Sequence, residues 1–212
     1  ILPTFDFASV FALIFHSFIF WLLDAMQCPE DIQNVIRAFY FFCCSYIKGS
    51  AGLTYFLRYA SGIIQGCPWS GSIFAWCIDP VIRFMISSLN NASAGVGEVQ
   101  SVLRACADDL AASLAKLKYL TALVGPFAVC GAAVGLKLKP KKCKLVVLEP
   151  WSPRVQMLIK AFLVEEIPQW SSFEVVPYAK YLGFLVGPGA SALDNFAAPA
   201  KKFWSRVLGM AS

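Results

Sequence analysis

Apolar residues recur along the chain in two ways, alternating with polar residues in some segments and following helical spacing in others. This predicts a protein built from both strands and helices. Residues 1–7 alternate in the manner of a strand, and we expect this strand to end at Asp6 and to lead into a helix. From residue 10 to residue 26, apolar residues lie on nearly every side of that helix. We therefore expect the helix to be buried over most of its surface.

The same patterns predict the elements that follow. Glu30 and Asp31 come directly after Pro29, which is typical of a helix start because acidic side chains favour the positive end of the helix dipole. We then expect extended structure at residues 55–58, a Gly- and Pro-rich loop at 62–71, an apolar helix at 73–89 and a polar turn at 90–98.

Two apolar segments then flank an acidic turn. Residues 99–104 and 110–114 are expected to be strands, and the sequence Cys-Ala-Asp-Asp at 106–109 joins them. The pattern predicts a hairpin with carboxylates at its tip. Beyond it we expect a helix at 116–134 broken near Pro126, a basic loop and strand at 135–148, an irregular connection at 149–172, a strand at 180–188 and a helix that starts near Pro199.

The composition is rich in apolar residues and poor in charge. The 212 residues are 58% hydrophobic and 15% charged, whereas an ordinary globular domain is about 25% charged. This argues against a disordered chain and predicts exposed apolar surface, which fits a lipid face, a partner interface or a face that neighbouring domains would cover. The eight cysteines show no paired CxxC spacing, so we expect reduced and buried thiols.

The net charge of +5, from 18 Lys and Arg against 13 Asp and Glu, favours a polyanionic partner. The basic charge is concentrated in residues 137–144, which hold five lysines, and near the C-terminal residues Lys201, Lys202 and Arg206. A run of lysines is more often a solvated face than a binding site, so both interpretations stay open at this point.

Residues 7–23 contain no Asp, Glu, Lys or Arg and reach the minimum of about 17 residues for a membrane-spanning helix. Against a span stand His16 within the segment, Asp6 and Asp24 at its ends, and the lack of a flanking Lys or Arg cluster. We therefore expect no stable membrane insertion. An integral membrane protein that uses residues 7–23 and 74–89 as spans is the less favoured alternative.

Asp6 and the acidic hairpin tip have the chemistry that nucleotidyl transfer requires. When a 3′-hydroxyl attacks an α-phosphate, charge develops on the attacking and leaving oxygens, and two divalent ions about 3.5–4 Å apart can neutralise it. Mg²⁺ prefers oxygen ligands and takes several from substrate and water, so few protein carboxylates are needed. A strand end with Asp6 facing a tip with Asp108 and Asp109 provides them. An Asp-Asp pair alone, however, is more often a plain turn.

Five segments give the Asp-Asp pair a context. They read FDFASVF at 5–11, GIIQGCPWSG at 62–71, CADD at 106–109, GLKLKPKKCK at 135–144 and KYLG at 180–183. In order and content, the chain resembles the reverse transcriptases of non-LTR (LINE-type) retrotransposons. The resemblance implies an RNA-directed DNA polymerase that extends a DNA primer on an RNA template, uses deoxynucleoside triphosphates, and needs two Mg²⁺ ions, with Mn²⁺ as a substitute.

The resemblance also implies a fold class and an organisation. We expect an α+β polymerase palm, a ferredoxin-like or RRM-like antiparallel sheet packed on helices, over residues 1–190. Residues 191–212 are expected to start a thumb or connection helix. Fingers, thumb and any attached endonuclease are expected to belong largely to other parts of the same polyprotein. The implied location is intracellular, in a cytoplasmic ribonucleoprotein and in the nucleus.

Residue by residue, the resemblance assigns roles to matching positions. The implied metal ligands and catalytic carboxylates are Asp6, Asp108 and Asp109. Lys142 would stabilise charge on the leaving pyrophosphate or donate a proton to it. A core position explains Phe11 equally well, and His16 is interpreted as a packing residue. Contacts to nucleotide and template are implied for Phe11, Gln65, Gly66 and Pro68, and contacts to the primer for Lys180, Tyr181, Leu182 and Gly183.

Several positions depart from the family pattern. Cys106 replaces an aromatic residue, Val10 an alanine, Trp69 and Gly71 a leucine and a proline, and Lys139 an asparagine. None of these changes removes a carboxylate. Because the positions beside the motifs are altered while the carboxylates remain, the main alternative to an active polymerase palm is an inactive retroelement remnant that keeps the motifs without catalysing.

Overall fold

The computed structural model describes residues 1–94 and 100–210. The strands are β1 Leu2–Phe5, β2 Cys44–Gly49, β3 Gly52–Arg58, β4 Val102–Cys106, β5 Asp109–Ser113, β6 Lys144–Val146, β7 Glu174–Val176, β8 Ala179–Tyr181 and β9 Phe184–Val186. The α-helices are α1 Val10–Leu13, α2 His16–Ala25, α3 Glu30–Tyr40, α4 Ser70–Ala92, α5 Val124–Val129, α6 Pro153–Glu166 and α7 Ala192–Met210. Short 3₁₀ turns lie at Leu117–Leu123, Pro140–Lys142 and Pro168–Trp170, and a π-helical turn lies at Cys130–Val134.

The chain divides into two compact units, each made of helices and strands. The first unit comprises Ile1–Asp6, Ser88–Val124 and Lys139–Ser212, and the second comprises Phe7–Ser87 and Gly125–Leu138. The predicted α+β class is confirmed. The predicted boundary between residues 190 and 191 stays a prediction.

A five-stranded sheet in the order β4-β5-β1-β6-β7 forms the centre of the first unit. Strand β1 is antiparallel to both of its neighbours, whereas β7 lies parallel to β6. The sheet is therefore mixed, not purely antiparallel as predicted. The reason is the connection, because the helix α6 between β6 and β7 returns the chain to the end at which β6 began.

The sequence predicts an irregular connection at residues 149–172, but this stretch contains the helix α6. Its start is well formed, because the Ser152 side chain accepts a hydrogen bond from the Val155 N–H at 3.2 Å. Pro153 occupies the first helical position, where the N–H that proline lacks is not needed. The proline therefore marks a helix start and not a loop.

The core of the first unit fixes the position of β1. The Phe5 ring packs edge-on against Trp170 and Phe173, with centroid distances of 6.0 and 6.2 Å. All three aromatic residues are buried, as is Leu110 on the neighbouring strand β5. Buried aromatic rings contribute large apolar area and prefer such edge-on contacts. The end of β1, where Asp6 follows, is therefore held rigidly.

Helix α7 begins at Ala192, seven residues earlier than the predicted start near Pro199, which lies inside the helix. A capping box explains the earlier start. The Asp194 N–H donates to Ser191 Oγ at 3.1 Å, and the Ser191 N–H donates to Asp194 Oδ2 at 3.1 Å. These bonds satisfy two of the N–H groups that a helix start leaves unpaired.

In the second unit, the predicted helix at residues 10–26 is two helices, α1 and α2. The chain is extended between them because the Phe15 N–H donates to the Val134 carbonyl and the His16 N–H donates to the Ala60 carbonyl, both at 3.0 Å. These tertiary bonds replace the bonds of a continuous helix. Helix α2 is buried on one face only, which is formed by His16, Ile19, Leu22 and Leu23.

The helix predictions at residue 30 and at residues 73–89 are confirmed by α3 and α4. The predicted break near Pro126 does not occur. Pro126 lies in the first turn of α5, where a missing N–H is tolerated. The predicted turn at 90–98 and strand at 99–104 fall partly on residues 95–99, which lie outside the described residues.

Two helical stretches of the described residues are long and apolar enough to cross a membrane, at Ser70–Ala92 and Leu117–Val134. The first contains residues 74–89, the second span of the less favoured membrane alternative, whereas the candidate at residues 7–23 is interrupted between α1 and α2. A core helix of a soluble protein meets the same criterion, so these two stretches are weak evidence for a membrane span.

All eight cysteines lie within the described ranges and are free thiols, as predicted. The prediction that they are buried holds only for Cys77, Cys130 and Cys143. Cys106 is exposed because it ends β4 at the hairpin tip, and the remaining four are partly exposed.

Candidate functional site

Asp6 directly follows the last residue of β1, and its backbone is held on both sides. Its carbonyl accepts a hydrogen bond from the Lys139 N–H at 2.8 Å. Its N–H donates to Cys143 Sγ at 3.3 Å. Both partners lie just before β6, which pairs with β1. The Asp6 side chain is half-buried, so it is anchored without being sealed from solvent.

Strands β4 and β5 form the predicted acidic hairpin, with Cys106 and Asp109 as the last pair. Ala107 and Asp108 make the two-residue turn, and Ala107 has a φ of 53°. Tight hairpin turns require positive φ because this matches the twist of the flanking strands. Asp108 and Asp109 are both exposed, so the tip presents accessible carboxylates.

The strand register brings Asp6 to the acidic tip. The last registered pair between β1 and β5 is Phe5 with Leu110. One position beyond this pair lie Asp6 on one strand and Asp109 on the other. Residues directly opposite in an antiparallel pair have Cβ atoms about 4.5–5.5 Å apart. Asp6 and the hairpin tip, which are distant in sequence, are therefore neighbours in the sheet.

The oxygen donors at this tip suit a hard divalent ion. Mg²⁺ in phosphate-transferring sites takes one or two carboxylates and completes its shell with substrate phosphates and water. Among residues 1–94 and 100–210, no group of three or more His, Cys, Asp or Glu side chains lies close enough to hold a metal ion. Within these ranges Asp6, Asp108 and Asp109 are therefore not grouped as a three-ligand metal site, and their role as metal ligands stays a prediction.

Cys143 lies against Asp6 without adding charge. Burial raises the pKa of the Cys143 thiol to about 11, the hydrogen bond from the Asp6 N–H lowers it, and the Asp6 carboxylate raises it again. The thiol is therefore neutral at physiological pH. Asp6 therefore has a small, uncharged neighbour in Cys143.

The charge of Asp109 at the acidic tip affects the pKa of Tyr181, which belongs to the predicted primer-contact segment. Burial raises the pKa of the Tyr181 hydroxyl, and the negative charge of Asp109 raises it further, as does Cys106. Tyr181 ends strand β8 in the same unit. The segment that the sequence assigns to the primer therefore lies close to the predicted metal ligands.

Residues 180–188 form a hairpin and not the single strand that was predicted. Leu182 and Gly183 make its turn with φ values of 49° and 89°. Positive φ at both central residues is the geometry of the two-residue turn that suits twisted strands. The Lys180 side chain is exposed, whereas Tyr181 is half-buried. The four predicted primer residues thus lie around one tight turn.

The predicted role of Lys142 is left open by its surroundings. Lys142 ends the 3₁₀ turn Pro140–Lys142, and its side chain is exposed. Lys144, from the same lysine run, instead pairs with Glu174 at 3.3 Å across β6 and β7. Lys144 therefore has a structural partner, and the assignment of Lys142 to the leaving pyrophosphate stays a prediction.

The second unit contains the residues predicted to contact nucleotide and template. Gln65, Gly66 and Pro68 are exposed on the loop that leads into α4. The start of this loop is anchored, because the Ile64 N–H donates to the Tyr40 hydroxyl at 3.3 Å. Gly66 has a φ of 88° and no heavy atom within 4 Å of where a Cβ would lie. The backbone conformation favours glycine there, and the open space leaves room for a ligand.

Phe11 and His16 are packed within the second unit. The Phe11 ring stacks on Phe74 at a centroid distance of 4.8 Å. His16 is buried, and its Nε2 lies 2.8 Å from the Gly62 carbonyl oxygen. His16 is thus the packing residue that was predicted. The stack accounts for Phe11 as a packing aromatic, and its contact with a sugar stays a prediction.

Two supporting residues were missed by the sequence analysis. Cys143 stands inside the segment GLKLKPKKCK, so its position in the motif was a usable signal. Asn195 had no such signal. Its Oδ1 accepts a hydrogen bond from the Leu185 N–H at 2.5 Å, and its Nδ2 donates to the Leu185 carbonyl at 3.1 Å. Asn195 therefore ties α7 to β9.

A protein-family model described as reverse transcriptase (RNA-dependent DNA polymerase) matches residues 1–186. Among solved structures, the chain is similar to telomerase from Candida albicans in complex with a fragment of telomeric RNA, with a TM-score of 0.61 and 10% identity over 88% of this chain and 29% of that chain. It is also similar to apo telomerase from Candida tropicalis truncated from its C-terminal domain, with a TM-score of 0.56 and 11% identity over 88% of this chain and 33% of that chain. No curated protein sequence matches.

Proposed function

Because the chain belongs to the reverse transcriptase (RNA-dependent DNA polymerase) family, we propose that it carries the palm that extends a DNA primer on an RNA template. The observation that carries this proposal is the register between β1 and β5, in which Phe5, the neighbour of Asp6, pairs with Leu110, the neighbour of Asp109. The chain spans about a third of the length of the telomerase chains it resembles. The fold likeness alone does not assign their activity to this chain.

In this proposal the carboxylates of Asp6, Asp108 and Asp109 hold two divalent ions. The ions would neutralise charge on the attacking 3′-hydroxyl and on the leaving pyrophosphate. The fold would position Asp6, because the Asp6 carbonyl accepts a hydrogen bond from the Lys139 N–H and the Asp6 N–H donates to Cys143 Sγ. The neutral Cys143 thiol avoids a competing charge behind Asp6.

The remaining predicted contacts are assigned by their chemistry. Lys180 would place a cation near a primer phosphate, and Tyr181 would orient the primer end beside Asp109, whose charge reaches it. Gln65 and Gly66 would lie against the incoming nucleotide and the template. Lys142 would stabilise the leaving pyrophosphate.

We assign the chain more finely to the non-LTR retroelement type. This assignment rests on the order and content of the five sequence segments, above all QGCP at 65–68 and KYLG at 180–183. The longer open reading frame around the chain tests it. Upstream fingers and endonuclease motifs would support the assignment, and protease or integrase coding sequence in the same frame would contradict it.

Primer extension on an RNA template with the purified chain, Mg²⁺ and deoxynucleotides tests the polymerase proposal. Asp108→Ala is expected to lower the extension rate by more than about a hundredfold, because even outer-shell partners of metal ligands are worth about 10–100-fold. Asp79→Ala is the matched control, since Asp79 is an exposed acid paired with Arg83 on α4. Its rate should stay within roughly twofold of the wild type, because exposed ion pairs contribute little.

Two outcomes would count against the proposal. If the folded wild-type chain extends no primer, the inactive-remnant alternative is favoured for this chain. If it extends primers and Asp108→Ala is as active as Asp79→Ala, the carboxylate assignment is wrong.

A further inference from the structure

The hairpin of β2 and β3, here called the aromatic ribbon, presents aromatic rings to solvent on one face. Tyr46 pairs with Tyr55 and Lys48 pairs with Leu53, and these alternate pairs share a face of the ribbon. Tyr46, Tyr55 and Leu53 are 56%, 57% and 72% exposed. Exposed apolar side chains that adjoin one another, as these do, are typical of an interaction surface.

The two tyrosine rings contact each other and still keep much of their surface exposed. Tyr46 and Tyr55 meet edge-to-face, with centroids 6.0 Å apart and an interplanar angle of 79°. This contact uses the edge of one ring and one face of the other, so ring surface remains on both for a planar group. Lys48, one pair further along the same face, is exposed. The face therefore combines stacking surface with a cation.

The sequence that contains the aromatic ribbon carries formal charge of one sign. Between Asp31 and Asp79 the sequence contains no Asp or Glu, while Lys48 and Arg58 lie within the ribbon itself. The Arg58 guanidinium lies 4.0 Å from the Phe42 ring centroid, so a cation and an aromatic ring are combined there too. A polyanion approaching this surface meets no acidic side chain from this stretch.

We propose that the aromatic ribbon binds single-stranded RNA, with bases stacked on Tyr46 and Tyr55 and a phosphate beside Lys48. This inference rests on the proposed function, because it names a second surface for the same RNA substrate. Stacking on aromatic rings with flanking cations is how proteins bind single strands without sequence preference. The ribbon thus holds unpaired template outside the site at the acidic tip.

A second copy of the chain fits this surface less well. The fully buried core of a protein interface is depleted of lysine, yet Lys48 stands beside the exposed tyrosines and Leu53. Burying an ammonium group without an acidic partner is costly, and the ribbon sequence offers no acid to a second ribbon. Single-stranded RNA can pair a phosphate with the Lys48 ammonium group and stack its bases on the tyrosine rings.

Fluorescence anisotropy with the whole chain and a labelled, unstructured RNA of about 12 nucleotides, within the usual range of single-strand sites, tests the inference. The expected result is a roughly tenfold weaker Kd for Tyr46→Ala and a roughly hundredfold weaker Kd for the double change with Tyr55→Ala. Tyr46→Phe should bind as the wild type does, because the ring is kept. Lys48→Gln should reduce the salt slope of log K by about one.

Trp21→Ala is the matched control, since Trp21 is an equally exposed aromatic on α2 in the same unit. It should leave Kd within roughly twofold, because it lies outside the stacking surface. Unchanged RNA affinity in the double tyrosine variant would overturn the inference. So would sedimentation showing a wild-type dimer that the double variant converts to monomers with RNA affinity intact, because the ribbon would then be a self-association surface.

The RNA measurement is made in EDTA without primer or nucleotides, so it is independent of catalysis. If the wild type extends primers while the ribbon variants keep full RNA affinity, the ribbon inference fails and the polymerase proposal stands. If the ribbon variants lose RNA affinity in a chain that extends no primer, the inference stands without the polymerase proposal.

Discussion

The acidic hairpin and the aromatic ribbon are both antiparallel hairpins with two-residue turns, but their surroundings are very different. In the acidic hairpin, β5 pairs with both β4 and β1 within a five-stranded sheet. The aromatic ribbon of β2 and β3 is a two-stranded sheet whose side chains are largely exposed on both faces. The same local structure therefore suits the two proposed roles differently. A carboxylate proposed to hold an ion needs a fixed position, whereas a ring proposed to stack on varied bases needs access.

The largest expected difference between the two hairpins lies in hydrogen exchange. Amides of β5 should exchange on the order of a thousandfold more slowly than those of β3, because core strands open only with much of the global unfolding free energy. Mass spectrometry of the chain without ligand measures this. Equal protection of the two strands would break the comparison.

Next in size is the cost of removing a leucine side chain from each hairpin. Leu110→Ala in β5 should lower the free energy of unfolding by about 2–5 kcal/mol, because Leu110 is buried. Leu53→Ala in β3 should change it by no more than about 0.5 kcal/mol, because Leu53 is exposed. Urea denaturation followed by circular dichroism compares them, and similar losses would show that the ribbon is packed in solution.

Introducing a glycine at the acidic tip and removing one beside the turn of the aromatic ribbon should change the stability of the chain in opposite directions. Ala107 has a φ of 53°, so Ala107→Gly should stabilise the chain by about 0.5–1 kcal/mol by removing backbone strain. Gly52 of the ribbon has a φ of 115°, so Gly52→Ala should destabilise it by about 1–2 kcal/mol. Thermal unfolding of both variants would sharpen the comparison. A loss of stability in Ala107→Gly would mean that the acidic tip is unstrained.

The smallest expected effect is a pH dependence from the sheet behind Asp6. Burial raises the pKa of Cys143 to about 11 in the folded chain, above the ordinary thiol value of about 8.5. The unfolded chain therefore loses this proton first, so stability is complete below the ordinary value and falls as pH rises towards 11. The free energy of unfolding, measured in urea at pH 8 and at pH 10, should fall less between the two pH values in Cys143→Ala than in the wild type. An identical fall in both proteins would contradict this.

The acidic hairpin could be predicted from sequence because its signals are local. Alternation around Phe5 and Phe7 and the apolar flanks of 106–109 indicate which residues are strand and which are tip. The order of the five segments then indicated that Asp6 and Asp108 belong together. What the sequence left open was the register, and hence that Asp109 is the residue opposite Asp6.

Other elements escaped prediction because tertiary bonds or unusual backbone decide them. The break between α1 and α2 depends on the carbonyls of Val134 and Ala60, which are remote in sequence. The β8–β9 turn is hidden because Leu182, an apolar residue, adopts positive φ. Strand β2 was missed because exposure on both faces removes the alternation that marks a half-buried strand.

The double hydrogen bond of Asn195 has a consequence for assembly. A strand with free N–H and C=O groups invites another chain to join it, which is a route to aggregation. At the middle of β9, the amide of Asn195 occupies both main-chain groups of Leu185 and so acts as a one-residue strand. Another chain therefore cannot pair with Leu185, while the turn at Leu182 and Gly183 stays exposed.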